Sequence, residues 1–391
     1  AEEGARRFEA LGLRWRIEDL TPIGRWLTPS YARRRFDTEL YLLTLPRPVP
    51  PDPTVFELQD AEWITPEAAH ARWAAGGALI TPALAHLIRT LRDVGPEPAA
   101  LRAVHGAAGQ ECLRWEVAPF VQMMPVRTPT LPPATHTNAY LVGSRQAVVV
   151  EPSTPYAEEQ DRFVRWVEES RREGIEPIAM VATHHHPDHV GGAAVLGERL
   201  GLPLWAHAET AARLPKLHFE RLLSDGDVVA LDGPTPMTLE ILHTPGHAQG
   251  HICLREPSSG VMMVGDMVAS IGTILVEPGD GDMAVYLEQL ARLRDVGASM
   301  LLPAHGWPIR DPRALLSHYI AHRLAREEKV LGALGEAPQS VAELVPTAYD
   351  DAPKAVWPLA ALATEAHLLK LGQEGRAVRS DRGWSRGVEP A

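Results

Sequence analysis

Ten residues, Thr183-His184-His185-His186-Pro187-Asp188-His189-Val190-Gly191-Gly192, constrain this chain more than any other stretch. They place four potential metal ligands, His184, His186, Asp188 and His189, within six residues in the order His-x-His-x-Asp-His. The uncharged apolar run Ile178 to Ala182 leads in, and Gly191-Gly192-Ala193-Ala194 leads out. That pattern predicts a strand ending in a ligand-bearing loop that feeds a helix. Imidazole and carboxylate together suit zinc or iron at neutral pH, and two ligand pairs packed this tightly can serve two adjacent metals.

Further ligands follow in similar contexts. His247 sits in the turn Thr244-Pro245-Gly246-His247, after the strand-like Met237 to Leu242. Asp266 closes the apolar run Val261 to Gly265, which pairs as a hairpin with His251 to Glu256 through Pro257-Ser258-Ser259-Gly260. His305 follows Met300-Leu301-Leu302-Pro303-Ala304. One His or Asp at a strand end is more often a turn residue. Seven such residues, each at a strand end, are hard to explain without a shared metal site. His251 is a candidate for contacting substrate or supporting a ligand, and a hydrogen-bonded structural role is equally open. The two cysteines are poor nucleophiles: Cys253 falls inside a hairpin strand, and Cys112 among Glu111, Leu113 and Arg114.

The order of these residues resembles the metallo-β-lactamase superfamily, whose signature is a His-x-His-x-Asp-His loop, a Gly-His, an Asp after a hairpin and a His before Gly. The resemblance implies an α/β fold, a four-layer αββα sandwich with a dinuclear centre at one edge of its two sheets. It implies that His184, His186 and His247 hold one metal, Asp188, His189 and His305 the other, and that Asp266 bridges them. Antibiotic-hydrolysing members typically carry Cys or Ser where Asp266 stands, so the chain looks like the hydrolase branch. His186 disfavours the flavin-linked diiron members, which have Glu there. One departure is Glu151-Pro152-Ser153, where the family's usual Asp-x-Gly supports the His loop.

The chemistry implied is hydrolysis. Two adjacent cations give a bridging hydroxide at neutral pH and polarise a carbonyl or phosphoryl group. Two Zn²⁺ are expected, with Fe or Mn as alternatives, and Asp188 and His251 are the candidate catalytic side chains.

Length suggests two or three domains. No apolar run approaches the roughly 20 residues of a membrane span, and two distant cysteines make a reducing cytoplasm the simplest compartment. The chain opens Ala1-Glu2-Glu3, without a signal-peptide pattern, and reads as a trimmed or internal start. Its net charge of −12 is uneven: −2 over residues 1–120, −10 over 121–311 and 0 over 312–391. General binding to double-stranded nucleic acid is therefore disfavoured. Lys370, Arg376, Arg379, Arg382 and Arg386 concentrate near the C-terminus, a run read as a solvated tail in preference to a binding patch.

After the metal domain, Leu315, Leu316, Tyr319, Ile320, Leu324 and Leu331 recur at helical spacing, and Ser340-Val341-Ala342-Glu343 starts a second helix with a capping box. Lys354 to Leu371 makes a third, and a β-like piece ends at Trp384. Three helices and a wing form a winged-helix pattern. Its position, and the stretch Tyr319-Ile320-Ala321-His322-Arg323, is similar to the lactamase-beta-like protein 2 group. That resemblance implies an endoribonuclease acting on single-stranded RNA, or a thioesterase releasing acyl chains from carrier proteins or coenzyme A, or a related ester or lactone hydrolase. A mononuclear iron persulfide dioxygenase and a non-catalytic scaffold are weaker alternatives. His318 and His322, four apart on one helix face, are taken as structural.

At the N-terminus, Phe8 to Leu13 resembles the tail of a Nudix box, and Ala61 to Ala68 a segment found downstream in Nudix domains. Arg6 and Ala10 replace the box acids, leaving Glu9 alone, so this α/β module is expected to be inactive and to serve packing, substrate shaping or dimerisation. A homodimer therefore stays open. The expected division is 1–120 Nudix-like, 121–311 metal-dependent hydrolase and 312–391 winged helix. Substrate choice is expected to rest on the loops Pro215 to Asp227 and Gly272 to Asp282.

Overall fold

The computed structural model describes residues 17–27, 36–47, 61–74, 78, 82–105, 115–172 and 174–387. The chain divides into two compact units between Pro119 and Phe120. In the first unit, β1 (Leu20–Leu27) and β2 (Asp37–Leu43) pair antiparallel, with a register shift between Pro22 and Gly24. Helices α1 (Pro66–Ala74), α2 (Pro82–Val94) and α3 (Pro98–His105) and the short strand β3 (Trp115–Ala118) complete its described part. Of the Nudix-like segments, Phe8 to Leu13, with Arg6, lies outside the described residues, as does Cys112. Ala61 to Thr65 forms an irregular lead into α1 and Pro66 to Ala68 its first turn, where the Thr65 hydroxyl oxygen accepts the Ala68 N–H at 3.2 Å.

The second unit is built on two sheets. In the first, β4 (Val121–Arg127), β5 (His136–Val142), β6 (Gln146–Val150), β7 (Glu176–Val181), β8 (Leu204–His207) and β9 (Arg221–Leu223) lie side by side in sequence order. Pairing is antiparallel from β4 to β6 and parallel from β6 to β9. The parallel crossovers carry α4 (Ala157–Arg172), α5 (Pro187–Val190), α6 (Ala193–Leu200) and α7 (Ala208–Arg213). Helix α4 has Glu158 and Glu159 in its first turn and Arg171 and Arg172 in its last, which complements the helix dipole. Phe163, Trp166, Val167 and Ser170 form its buried stripe.

The second sheet runs β10 (Val228–Leu231), β11 (Met237–His243), β12 (Ile252–Glu256), β13 (Val261–Gly265) and β14 (Met300–Pro303). Helix α8 (Met283–Val296) connects the last two, which pair parallel. Alternation along each strand sorts side chains into layers. Ala139, Leu141, Ala147 and Val149 pack with Phe163 and Trp166 of α4, and Met262 and Val264 with Tyr286 and Leu290 of α8. The alternate residue Tyr140 points the other way, and its hydroxyl donates to the Pro303 carbonyl of the second sheet at 2.7 Å. The result is the expected four-layer αββα sandwich.

Three helices and a two-stranded wing follow: α9 (Pro312–Ala333), α10 (Val341–Ala348), α11 (Trp357–Gln373), β15 (Ala377–Ser380) and β16 (Gly383–Arg386). Val330, Leu344, Leu368, Leu371 and Trp384 form its core. Ser340 and Glu343 make the expected capping box. The third helix starts at Trp357, not Lys354, because Pro358 fits only a first helical turn; Lys354–Val356 is a 3₁₀ turn. The basic residues near the C-terminus are largely paired within the domain. Lys370 binds Glu327 and Glu374 at 2.7 and 2.6 Å, and Arg376 binds Glu328 at 2.7 Å. Among the described residues no helix is long and apolar enough to cross a membrane.

Candidate metal centre

Each strand that ends at the seam of the two sheets delivers a polar side chain there. Strand β7 runs into His184, His186, Asp188 and His189; β11 is followed by His247, β13 by Asp266 and β14 by His305. The backbone around them is tight. Gly246 has φ 130°, and a Cβ there would lie 2.4 Å from the Cα of Tyr286, so the turn bearing His247 packs directly on α8. Gly265, at φ 45°, would bring a Cβ within 2.5 Å of His251 Nε2. Only glycine suits either position.

Three ring nitrogens converge. His184 Nε2 is 3.0 Å from His186 Nδ1, and His247 Nε2 is 3.2 and 3.0 Å from these two. The opposite nitrogen of every ring donates outward. His184 Nδ1–H donates to the Thr183 hydroxyl oxygen at 3.0 Å, His186 Nε2–H to Asp280 at 2.9 Å and His247 Nδ1–H to the Leu275 carbonyl at 2.7 Å. A ring whose N–H is used this way presents a lone pair at its other nitrogen, so three lone pairs face one point.

A second group lies alongside. His189 Nδ1–H donates to Glu151 at 3.1 Å and His305 Nδ1–H to the His136 carbonyl at 2.9 Å, turning both Nε2 atoms inward. Asp188 Oδ2 is 3.7 Å from His189 Nε2 and 3.5 Å from His305 Nε2. Asp266 lies between the groups: Oδ2 is 3.6 Å from His247 Nε2 and 3.5 Å from His189 Nε2, and Oδ1 is 3.3 Å from His305 Nε2. His189 Nε2 and Asp266 Oδ1 are buried without a hydrogen-bond partner. Orphaned polar atoms of this kind ask for a cation. His184, His186 and His247 form one set with metal-ligand spacing, and Asp188, His189 and His305 another. The donor atoms present therefore fit two transition-metal ions.

The electrostatics differ between the two groups: burial keeps the first neutral, and carboxylates favour positive charge in the second. Burial holds the His184 imidazole well below its ordinary range and pushes His247 down to about 4, so both are in the neutral, ligating form at pH 7. Burial would lower His189 too, but the carboxylates of Glu151, Asp188 and Asp266 outweigh it and raise this group well above its ordinary value. Burial also opposes ionisation of Asp266, yet His305 and His189 hold its carboxyl well below the usual range.

All seven expected ligand residues meet here, and His318 and His322 on α9 do not join them. Of the roles left open for His251, substrate contact, ligand support or a structural hydrogen bond, the geometry favours support: it is fully buried, its Nδ1–H donates to Thr244 Oγ1 at 2.8 Å and its Nε2 accepts the Asp266 N–H at 3.0 Å. Both its nitrogens are thus committed, one of them to the backbone of Asp266. Two other residues emerge. Glu151 does the work of the family's usual Asp, its Oε1 accepting from Thr183 at 2.6 Å as well as from His189. Asp280, not singled out from the sequence, orients His186 and lies 3.4 Å from Arg213 Nε. Its signal was the Gly279-Asp280-Gly281 turn within the loop assigned to substrate choice.

Residues 132–305 match the family model described as the Metallo-beta-lactamase superfamily, and residues 340–384 that of the Beta-lactamase associated winged helix domain. Fold, ligand cluster and both matches define a hydrolase of the metallo-beta-lactamase superfamily carrying its associated winged helix. Among relatives, the chain is 28% identical over 261 residues to the Beta-lactamase-like protein 2 homolog of Drosophila melanogaster, covering 61% of this chain and 83% of that one. It is 32% identical over 206 residues to the Atrochrysone carboxyl ACP thioesterase of Aspergillus chevalieri, covering 52% of this chain and 62% of the relative. A beta-lactamase domain protein from Burkholderia ambifaria superposes with a TM-score of 0.62 at 25% identity, covering 72% and 96% of the two chains. A metallo-beta-lactamase family protein from Thermus thermophilus gives 0.58 at 24%, covering 69% and 100%.

Proposed function

We propose that this chain is a dinuclear metal-dependent hydrolase of acyl thioesters or related esters. The observation that carries the dinuclear reading is the wiring of the five candidate ligand histidines, each with one ring nitrogen hydrogen-bonded outward and the other turned inward. His184, His186 and His247 would hold one ion, Asp188, His189 and His305 the other, with Asp266 between them. Zn²⁺ suits this donor set best. Such a pair of ions supplies hydroxide at neutral pH and a Lewis acid for the scissile carbonyl. Asp188 is half-buried where most of the other ligands are buried, so it is placed to take the proton of the attacking water. Attack forms the new C–O bond and breaks the C–S or C–O bond, and the leaving thiol or alcohol departs with that proton.

Three observations favour an acyl substrate over the single-stranded RNA that the resemblance first implies. The metal domain carries −10, which repels a polyanion. Lys370 and Arg376 are neutralised by glutamates. Two exposed apolar side chains border the site: Leu131, next to Thr130, whose hydroxyl is 3.4 Å from His305 Nε2, and Trp307, two residues past His305. The thioesterase name of the Aspergillus chevalieri relative points the same way. We divide the chain functionally at about 120 and 311, the second cut at Asp311, whose carboxylate caps α9.

Elemental analysis of purified protein, followed by assay of acyl-coenzyme A thioesters, a lactone and single-stranded RNA, tests this reading. About two zinc ions per chain and thioester or ester turnover support it. RNA cleavage without ester turnover puts the ribonuclease reading ahead, and one iron per chain with oxygen uptake the dioxygenase.

A further inference from the structure

The stretch Tyr319-Ile320-Ala321-His322-Arg323 has no part in the metal centre, yet it holds the segment that orients it. Residues 266–282 run from Asp266 alongside the clustered histidines. The Ser270 N–H donates to the carbonyl of His305 at 3.2 Å, the Leu275 carbonyl accepts from His247 Nδ1 at 2.7 Å, and Asp280 accepts from His186 Nε2 at 2.9 Å. One loop thus touches three of the ligand histidines and begins with Asp266.

Helix α9 grips this loop at two points. The Tyr319 hydroxyl accepts the Ala269 N–H at 3.0 Å and donates to the Ala269 carbonyl at 2.9 Å. One turn further along the helix, Arg323 Nη2 donates to the Ile274 carbonyl and to Thr273 Oγ1, the latter at 3.2 Å. Arg323 is 4% exposed and its guanidinium lies over the ring of Tyr286, 5.5 Å from the centroid. Residues four apart share one helix face, so both grips come from one rigid element. The Ile274 carbonyl held by Arg323 immediately precedes the Leu275 carbonyl held by His247.

We propose that Tyr319 and Arg323 are positioning residues through which the first helix of the winged-helix domain sets the ligand geometry, and hence the metal affinity, of the hydrolase centre. The inference rests on the metal-centre reading above. Without the Tyr319 grip the segment after Asp266 is free to shift. Without Arg323 the Leu275 carbonyl no longer fixes the tautomer and direction of His247. Supporting partners of metal-ligating histidines typically govern about 10–100-fold in metal affinity.

The test uses the full chain and the metal alone. Zn²⁺ affinity is measured by competition with a chromophoric chelator, and ligand geometry by the visible absorption of the Co²⁺ form. Tyr319→Phe and Arg323→Met are expected to lose about 10–100-fold in Zn²⁺ affinity and to alter the Co²⁺ spectrum. Arg323→Lys, which keeps a donor, recovers part of the loss. Arg326→Met is the control: Arg326 lies on the same helix, over the Tyr349 ring and paired with Asp351, away from the loop. It is expected to change neither reading. If Arg323→Met does not fold, Tyr319→Phe, which removes one hydroxyl, decides alone. Folded variants with wild-type affinity and spectrum overturn the proposal. Wild-type protein that takes up neither Zn²⁺ nor Co²⁺ overturns the metal-centre reading itself.

Discussion

Glu151 and His189 meet beneath the metal centre, a carboxylate oxygen 3.1 Å from His189 Nδ1, with both side chains withdrawn from solvent. The same oxygen accepts the Thr183 hydroxyl at 2.6 Å, and Thr183 in turn receives the His184 N–H. One carboxylate therefore orients a candidate ligand in each of the two clusters. It does so from a left-handed backbone position, φ 66°, that costs a non-glycine residue about 1–3 kcal/mol.

Glu151→Gln should therefore weaken both ions together. The amide oxygen can still accept both hydrogen bonds, which fall on one oxygen, but lacks the charge. Retention of metal at limiting concentration is expected to fall about 10–100-fold. Equilibrium dialysis against graded Zn²⁺ checks this, and selective loss of a single ion would contradict it.

Asp266 and Asp188 should fail differently. Asp266→Ala removes the carboxylate between the groups, so metal content and turnover are lost together. Asp188→Asn keeps a ligand oxygen and should retain much of the metal while losing on the order of a hundredfold in rate. Metal stoichiometry measured beside kcat for both variants tests the distinction. Near-normal turnover with two ions in Asp266→Ala would remove the dinuclear mechanism.

His251→Ala should leave KM nearly unchanged. What it removes is the acceptor of the buried Asp266 N–H, which costs about 1–3 kcal/mol. A lowered Tm with wild-type KM is the expected pair of readings, and a large rise in KM with unchanged Tm would restore a substrate-contacting role.

Acid should destabilise the winged helix through Glu327 and His367. Burial lowers the His367 pKa in the folded chain. Burial opposes ionisation of Glu327, but the His367 and Lys370 hydrogen bonds prevail and lower its pKa as well. For both groups the unfolded chain takes up a proton at higher pH than the folded one. Stability is then full above the ordinary His range, falls as pH drops below about 6.5, and falls again below about 4.3 as Glu327 becomes involved. A single such proton contributes at most about 1.4 kcal/mol per pH unit. Urea midpoints of wild type and His367→Gln between pH 7.5 and about 5.5 should diverge; parallel profiles would show that His367 is not responsible.

Stripping the ions with a chelator should lower Tm, because ligands bound only by the folded state stabilise it by mass action. At free Zn²⁺ about a hundred times the dissociation constant the gain is about 2.7 kcal/mol per site. Identical melting curves with and without chelator would argue against a bound metal.

The strands at the seam were legible because each ends in its ligand: the apolar run and the His or Asp are adjacent in sequence, as at Met300 to His305. The capping box at Ser340 was local in the same way. His251 was not legible, since spacing cannot tell whether an imidazole four residues past His247 faces the cavity or the core. Asp280 lies in a loop with no period, and its partner is 94 residues away in the chain. The role of Tyr319 and Arg323 depends on how α9 packs against residues 266–282, which no local pattern encodes.

Neither sheet holds a complete ligand set. His184, His186, Asp188 and His189 come from the first, while His247, Asp266 and His305 come from the second. With the ligand assignment proposed here, the centre behaves as a coincidence gate: it forms only once both halves have folded and met. A polypeptide still on the ribosome is therefore inert until His305 has emerged, and hydrolytic power appears in one step near the completion of the sandwich.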